Sequence, residues 1–514
     1  MRRLRLTLLS NKFSWAQTEP AKPLLPLFLA TLLAGLFIIL SDASPTWLVL
    51  VFLACCAIGS AFWFGDLRRV MLFMLIFTTP IDISKALIVS GGVYSPGLSI
   101  VISDFFFLGL FALWGFRQFI VRHASIRFDH LHRTALLFLC WLWISAGYSQ
   151  DVLGGMLAAI TYTKFFVTYY LLTQLVRKPE DMRLVMTAFF AGFIMQLLYV
   201  SAQILSGSPL EIQGAKSTLL GTQLVFEGAG GLHAFRPSGF LHHPNVLADY
   251  LVFLLPSAAA LVLLGKEIIG RRAWLAALLV LSVGMIMLVI TLSRGGWVSL
   301  GVAAIFFVIV GLRRGLVNRQ HLMALITAGL IGLSVIAVVY PAAYLRISQS
   351  DQRSGESRLI MIDQALLIIR SNLLTGVGLG GYNQAAQHYI PESFSYVNSY
   401  FQADIRKGVV HNKYLLVTAE LGLIGMGLFL ITLWRFFRLL FPLSRWRSQL
   451  NFAIALGLSS SIVGQAVFFI FDHFYADVRM AMLWILFGLY HALALGQHGA
   501  FAPPSPKIAS GNRE

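Results

Sequence analysis

The sequence predicts an all-α fold: a polytopic transmembrane helical bundle of about 12–14 spans, with one long loop that contains short amphipathic helices. Three observations predict it. The 514 residues are 58% hydrophobic and only 12% charged, against roughly 25% charged in a soluble domain. Mean hydropathy is +0.77, and 40 Phe with 11 Trp cannot form a water-facing surface. The apolar residues fall in runs of about 20, the length of helix that crosses ~30 Å of hydrocarbon. This composition excludes a string of soluble domains, a disordered or collagen-like chain, and a disulfide-rich secreted module. Cys55, Cys56 and Cys140 all lie in apolar runs, so no disulfide framework and no cysteine metal site are expected.

Fourteen candidate spans follow in order, at about 23–40, 46–64, 70–81, 99–115, 134–148, 156–176, 184–206, 245–265, 273–292, 295–312, 322–344, 412–434, 451–471 and 480–496. The first is not a cleavable signal peptide, because a second span follows at once without a small-residue cleavage site. The third is short and runs into Pro80. The chain divides into N-terminal spans (1–206), a loop (207–244), central spans (245–344), a large loop (345–411), C-terminal spans (412–496) and a tail (497–514). That tail is polar, holds Pro503, Pro504 and Pro506, and reads as disordered. The large loop is too long for a simple turn. Within 356–374, Leu359, Ile362, Leu366 and Ile369 recur at helical spacing, predicting an amphipathic helix along the membrane or over a cavity.

Orientation follows from Lys and Arg. With the N-terminus in the cytoplasm, 26 of the 39 basic residues fall in cytoplasmic segments. Every cytoplasmic connection is then basic, and both termini are cytoplasmic. The net charge of +17 is therefore topological, and nucleic acid is not expected as a partner.

Three clusters on the other side could carry chemistry. Arg236-Pro237-Ser238-Gly239-Phe240-Leu241-His242-His243-Pro244-Asn245 precedes the eighth span, with Asn245 suited to cap it. Ser293-Arg294-Gly295-Gly296 joins two spans with almost no loop, where an Arg is rare unless paired or facing water. His411-Asn412 opens the twelfth span. Each has a structural reading too: an exposed turn arginine, a snorkelling arginine, a histidine at a helix end. Together they suggest more. Two guanidinium forks suit a diphosphate through bidentate bonds, and a histidine suits proton removal from a hydroxyl. Glu420, nine residues after His411, faces away from it on an ideal helix. Gly422 and Gly425 make a narrow face for close helix packing.

Here the chain resembles the O-antigen ligase and polymerase superfamily of bacterial membrane glycosyltransferases. The ligase motif is His, then Asn, Ser or Gln, nine residues, Gly, two residues, and Gly, Thr or Tyr; it is matched by His411, Asn412, Gly422 and Gly425. The run from Arg236 to Asn245 and the Ser293-Arg294-Gly295 turn resemble the family's two arginine sites. Arg358 to Tyr382, with its Gly-rich turn, resembles the family's loop helix. The similarity covers roughly 230–430, and the family usually has about twelve spans. The resemblance implies an inverting, metal-independent enzyme of the inner membrane with a periplasmic active site and no cofactor. It would take a glycan from undecaprenyl diphosphate, with Arg236 and Arg294 holding the diphosphate and His411 deprotonating or orienting an acceptor hydroxyl. The acceptor is lipid A–core in ligases and a lipid-linked repeat in polymerases; a related branch modifies protein hydroxyls. Asn412, His243 and Asn245 join the expected substrate-binding set.

Lys164, at mid-span, either faces the substrate cavity or pairs with Asp104 or Asp249. His242, His473 and Asp472 could shape the acceptor side. No carboxylate cluster on the outer side resembles a metal site. Gly376-x-Gly378-x-x-Gly381 imitates a dinucleotide fingerprint but lacks a βαβ context, and reads as a turn needing positive φ. A lipid-linked sugar flippase is the rival class. It would show two related halves and polar residues at the midplane, and neither is visible. A membrane scaffold would not need Arg236, Arg294 and His411 in these places.

Overall fold

A computed structural model describes residues 66–88, 97–208, 210, 225–227, 233–323, 327, 352–391, 408–474 and 478–497. The expected spans 23–40 and 46–64, nearly all of 322–344, Cys55, Cys56 and the tail lie outside the described residues. The elements in order are α1 (Leu67–Thr78), β1 (Ser84–Ile88), β2 (Leu98–Val101), α2 (Ile102–Gly115, prolonged by a wide turn through Val121), α3 (His130–Gly147), α4 (Val152–Leu175) and α5 (Pro179–Ser206). They continue with β3 (Val225–Glu227), β4 (His233–Phe235), α6 (Pro244–Leu264), α7 (Lys266–Ile269), α8 (Arg271–Ile290), α9 (Arg294–Arg313) and α10 (Gln352–Ser371). The last are α11 (Tyr382–Ala386), α12 (Lys413–Phe437), α13 (Gln449–Phe468) and α14 (Val478–Gln497).

Among the described residues, nine helices are long and apolar enough to cross a membrane: α2, α4, α5, α6, α8, α9, α12, α13 and α14. The protein is a multi-pass helical membrane protein. Two expected spans fall short of that description. Asp66 caps α1 by accepting from the Arg69 amide, so α1 starts at Leu67, ahead of the expected 70, and ends at Thr78. Its 12 residues reach only ~18 Å. α3 has 18 residues, but its first turn is His130-Leu131-His132-Arg133. The outer connections also contain two antiparallel hairpins, β1 with β2 and β3 with β4. The first takes the opening of the expected span at 99–115 into β2, where Leu98, Ile100 and Val101 favour a strand.

Small residues set the packing of the central helices. A Cβ on Gly457 of α13 would lie 2.7 Å from Ser257 Cα of α6, and one on Gly464 would lie 2.6 Å from a Val252 methyl. Close approach of backbones, rather than hydrophobicity, holds helices together in lipid. Ser461 Oγ adds a hydrogen bond to the Phe253 carbonyl.

The basic connections gather at one end of the bundle. Arg68 pairs with the buried Asp181 at 3.0 Å and donates to the Leu175 carbonyl. Arg314 donates to the Trp446 carbonyl and Arg435 to the His130 carbonyl. The N-termini of α6, α9, α12 and α14 lie at the other end.

The loop helix α10 forms, and half of the expected stripe faces inward. Ile360, Met361, Gln364, Ala365 and Ile368 are buried, whereas Leu359 is 64% exposed and Leu366 36%. The buried set follows i, i+1, i+4, i+5, i+8 and packs on Val377, Tyr382, Val410 and Leu416, with Ile362 and Ile369 of the expected stripe partly buried against it.

Candidate active site

Four segments distant in sequence meet at the non-basic end. The first is 236–245. Two glutamines of α5 hold it: Gln203 Oε1 accepts from the Ser238 and Gly239 amides at 3.2 and 2.9 Å, and Gln196 Oε1 from Phe240 at 3.0 Å. They are two turns apart on one buried face. Gly239 has φ 59 and His242 φ 60, so the chain doubles back before α6. His243, not Asn245, is the N-cap of α6; its Nδ1 accepts from the Asn245 amide at 3.0 Å, with Pro244 as the first helical residue. Asn245 is displaced into the helix, where its Oδ1 accepts from an Arg236 Nη at 3.2 Å.

The second segment is the Thr291-Leu292-Ser293 turn between α8 and α9. Arg236 Nε donates to the Thr291 carbonyl at 2.9 Å, and Arg294 is the first residue of α9. The two arginines therefore bracket one turn. Leu292, at φ 53, is held in a conformation costing of order 1–3 kcal/mol. Arg294 is partly buried. Ser293 caps α9 by accepting from Gly296 N.

The third is His411-Asn412-Lys413. Asn412 is the N-cap of α12, accepting from Leu415 N at 3.0 Å. His411 is left outside the helix with its ring free of capping duty. Lys413 is buried; its Nζ donates to the Phe474 carbonyl at 2.8 Å and the Tyr162 hydroxyl at 3.2 Å.

The fourth comprises 471–474, after α13, and the opening of α14 at Val478 and Arg479. Phe471 fits against Gly295, where a Cβ would lie 2.9 Å from Phe471 Cβ. Asp472 then meets three partners. Its Oδ2 is 3.0 Å from Arg479 Nη1, and its Oδ1 is 3.6 Å from His411 Nδ1 and 3.8 Å from His473 Nδ1. The His411 and His473 rings stack at 5.3 Å. The 3.6 Å separation is longer than a hydrogen bond. The carboxylate placed beside His411 is that of Asp472.

Electrostatics tie these segments into one neighbourhood. Burial works to raise the Asp472 carboxyl, but Arg479, His473 and His411 outweigh it and hold it well below the usual carboxylate range. His243 is pushed down to about 3, first by burial and then by Arg236, Arg479 and His411, with Asp472 acting the other way. It is a neutral cap beside a cationic site. His411, Asp472 and His473 each offer a ligand atom within 4.8 Å of the others. Arg479 already faces that carboxylate, and a second cation there would contend with it.

Lys164 takes the structural option. Its Nζ lies 2.9 Å from Asp104 Oδ1, tying α4 to α2. His242 Nε2 lies 2.6 Å from the Asp82 carbonyl and anchors the turn. Arg479 and Tyr162 were not singled out from the sequence. The visible sign for Arg479 was the adjacent Asp472-His473 pair at a span end, with an arginine opening the next span.

Two features of the ligase-like motif gain physical reasons. Gly422 has φ 66 and ψ −171 and breaks the helical geometry within α12. A Cβ there would strike the Leu374 carbonyl group and come 2.5 Å from Thr375 N. Gly425 approaches the Trp141 indole, 3.0 Å from a built Cβ. The Gly-rich turn has positive φ at Gly376 (φ 70) and Gly378 (φ 92) as expected, but the third such residue is Gly380 (φ 76) and not Gly381, which has φ −82.

Residues 276–430 match the family model described as O-antigen ligase. Within that segment the chain is similar to the O-antigen ligase family. No curated protein matches the chain. The O-antigen ligase match contains Arg294, the 372–381 turn, His411, Asn412, Gly422 and Gly425. Arg236, His243, Asn245, Asp472, His473 and Arg479 lie outside the matched segment, so geometry alone brings them to it.

Proposed function

We propose that this protein is an inverting glycosyltransferase. It would move a glycan from undecaprenyl diphosphate to an acceptor sugar hydroxyl at the periplasmic face of a bacterial inner membrane. The observation that carries the reading is the pair Arg236 and Arg294 bracketing one turn on the same end as His411 and Asp472. Arg294 and Arg236 bind the diphosphate, aided by the positive N-terminal ends of α6, α9 and α12. His411 removes the proton of the acceptor hydroxyl. Asp472 orients its ring and balances the imidazolium that forms. The acceptor oxygen bonds to the anomeric carbon as the carbon–oxygen bond to the diphosphate breaks. Charge builds on the departing diphosphate, where the arginine forks stabilise it. Asn412, His243 and Asn245 set the backbone and side chains that hold His411 and Arg236, and His473 borders the acceptor.

No divalent cation takes part in this scheme. Transfer should continue in EDTA, and activity lost to EDTA and restored by Mg²⁺ or Mn²⁺ would contradict it. The concentration of basic connections at the opposite end supports a cytoplasmic placement for that end and for both termini.

Ligase-type transfer to lipid A–core is favoured by the His411-Asn412-x₉-Gly422-xx-Gly425 motif. Polymerisation of lipid-linked repeats is the second reading, supported by the same donor-binding arginines. Purified protein given one lipid-linked repeat, with and without lipid A–core, tests both. Product on lipid A–core alone supports the ligase. A ladder on the polyprenyl carrier makes it a polymerase, and neither product overturns glycosyl transfer.

A further inference from the structure

A buried polar cluster lies at the other end of the bundle, away from the transfer site. Asp129 is the N-cap of α3. Its Oδ1 is 2.9 Å from His132 Nδ1, and its Oδ2 is 2.7 Å from His491 Nε2 of α14. Both histidines are 2% exposed, while the Asp129 side chain is 30% exposed. The far nitrogens also have partners: His132 Nε2 lies 3.1 Å from Thr173 Oγ1, and His491 Nδ1 lies 2.9 Å from the Tyr169 hydroxyl, both on α4.

With the Thr173 hydroxyl donating to the Tyr170 carbonyl at 2.7 Å, Thr173 Oγ1 accepts from His132 Nε2–H and the Nδ1 lone pair turns inward, where the Asp129 amide approaches it at 3.4 Å. That lone pair then meets the Asp129 carboxylate at 2.9 Å, and a positive charge, a metal ion or a proton, joins the two. His491 can do the same: its Nδ1–H donates to the Tyr169 hydroxyl and its bare Nε2 faces Asp129.

We propose that Asp129, His132 and His491 form a divalent transition-metal site, best suited to Zn²⁺, that fastens the start of α3 to α14. The three ligand atoms lie within 4.8 Å of one another. Two imidazoles and a carboxylate are a ligand set Zn²⁺ accepts, with water in a fourth position. The partly exposed edge of Asp129 gives the ion and its water a way in. Thr173 and Tyr169 are the hydrogen-bonded outer partners that metal-bound histidines almost always have. Bonds of ~2.0–2.1 Å need only a slight spreading of the three side chains. The site is structural, because it stands at the end opposite Arg294 and His411.

The full chain, purified in detergent and stripped with EDTA, should be titrated with Zn²⁺ alone by calorimetry and with Co²⁺ alone by visible absorption. Wild type should take up one tight equivalent, with the intense Co²⁺ bands of a four-coordinate N/O site. Asp129→Asn should bind at least a hundredfold more weakly yet stay folded, because the amide oxygen still accepts from the Leu131 and His132 amides while its NH₂ can donate to a bare His491 Nε2. His473→Ala should retain the uptake, which separates this site from the His411 cluster. Equal uptake by wild type and Asp129→Asn would overturn the proposal. So would a wild type that takes up no ion, which would mean that a proton fills the gap and His132 is an imidazolium.

Discussion

Gly422→Ala tests how the long loop is held over the transfer site. At φ 66 and ψ −171 the backbone sits in a region open essentially to glycine, and an alanine there costs of order 1–3 kcal/mol in strain. The new Cβ also meets the Leu374 carbonyl group and lies 2.5 Å from Thr375 N. Backbone atoms cannot swing aside as a flexible side chain would, so the 373–378 turn has to lift. That lift breaks three hydrogen bonds of 2.9 Å: Val377 N to Ala419 O, Gly378 N to Glu420 O and Leu423 N to Leu373 O. At about 1 kcal/mol each, the docked turn loses roughly 4–6 kcal/mol with the strain included. Amide exchange at Val377 and Gly378 should then accelerate by about a thousandfold, since 1.4 kcal/mol is tenfold. Transfer should fall too, because Val377 packs in the same cluster as Val410, next to His411. Gly427→Ala is the control: nothing lies within 4 Å of its Cβ position, and it should match wild type. Wild-type exchange protection at 376–378 in Gly422→Ala would refute the reasoning.

Three further outcomes are expected. Arg294→Lys should lose transfer nearly as fully as Arg294→Ala at normal membrane levels, because a point charge does not replace a bidentate fork; wild-type turnover in the lysine variant would exclude that role. His411→Gln should slow transfer about 10²–10⁴-fold with donor binding retained, measured by single turnover against lipid-linked donor, and near-normal turnover would reduce His411 to a helix-terminus residue. His243 contributes stability that is present above pH 6.5 and lost as pH falls towards 3, because the unfolded chain takes up a proton there and the folded one does not. Between pH 6.5 and 5 this is at most about 2 kcal/mol, an upper figure since part of the residue meets solvent. His243→Asn keeps a capping side chain and should show a shallower fall in thermal stability over that range; an unchanged fall would remove His243 as the cause.

The sequence by itself determined the membrane-spanning helical class, because the energetic demand of hydrocarbon is written in composition and run length. It also determined which turns needed glycine, and which three clusters could carry charge at span ends, since these are local properties of neighbouring residues. It left open whether Lys164 served the site or a structural pair, and contacts between helices closed that question with Asp104. Tertiary structure alone decided the partners. Asp472 is far from His411 in sequence and comes beside it only because Phe471 packs on Gly295 and Lys413 bonds to the Phe469 and Phe474 carbonyls. The inward face of α10 was likewise set by the surface it met. Asp129, His132 and His491 show the same limit: the first two share a capping turn, but the third arrives on the last helix. No spacing rule joins residues so far apart, because what brings them together is the order in which helices pack and not the chain between them.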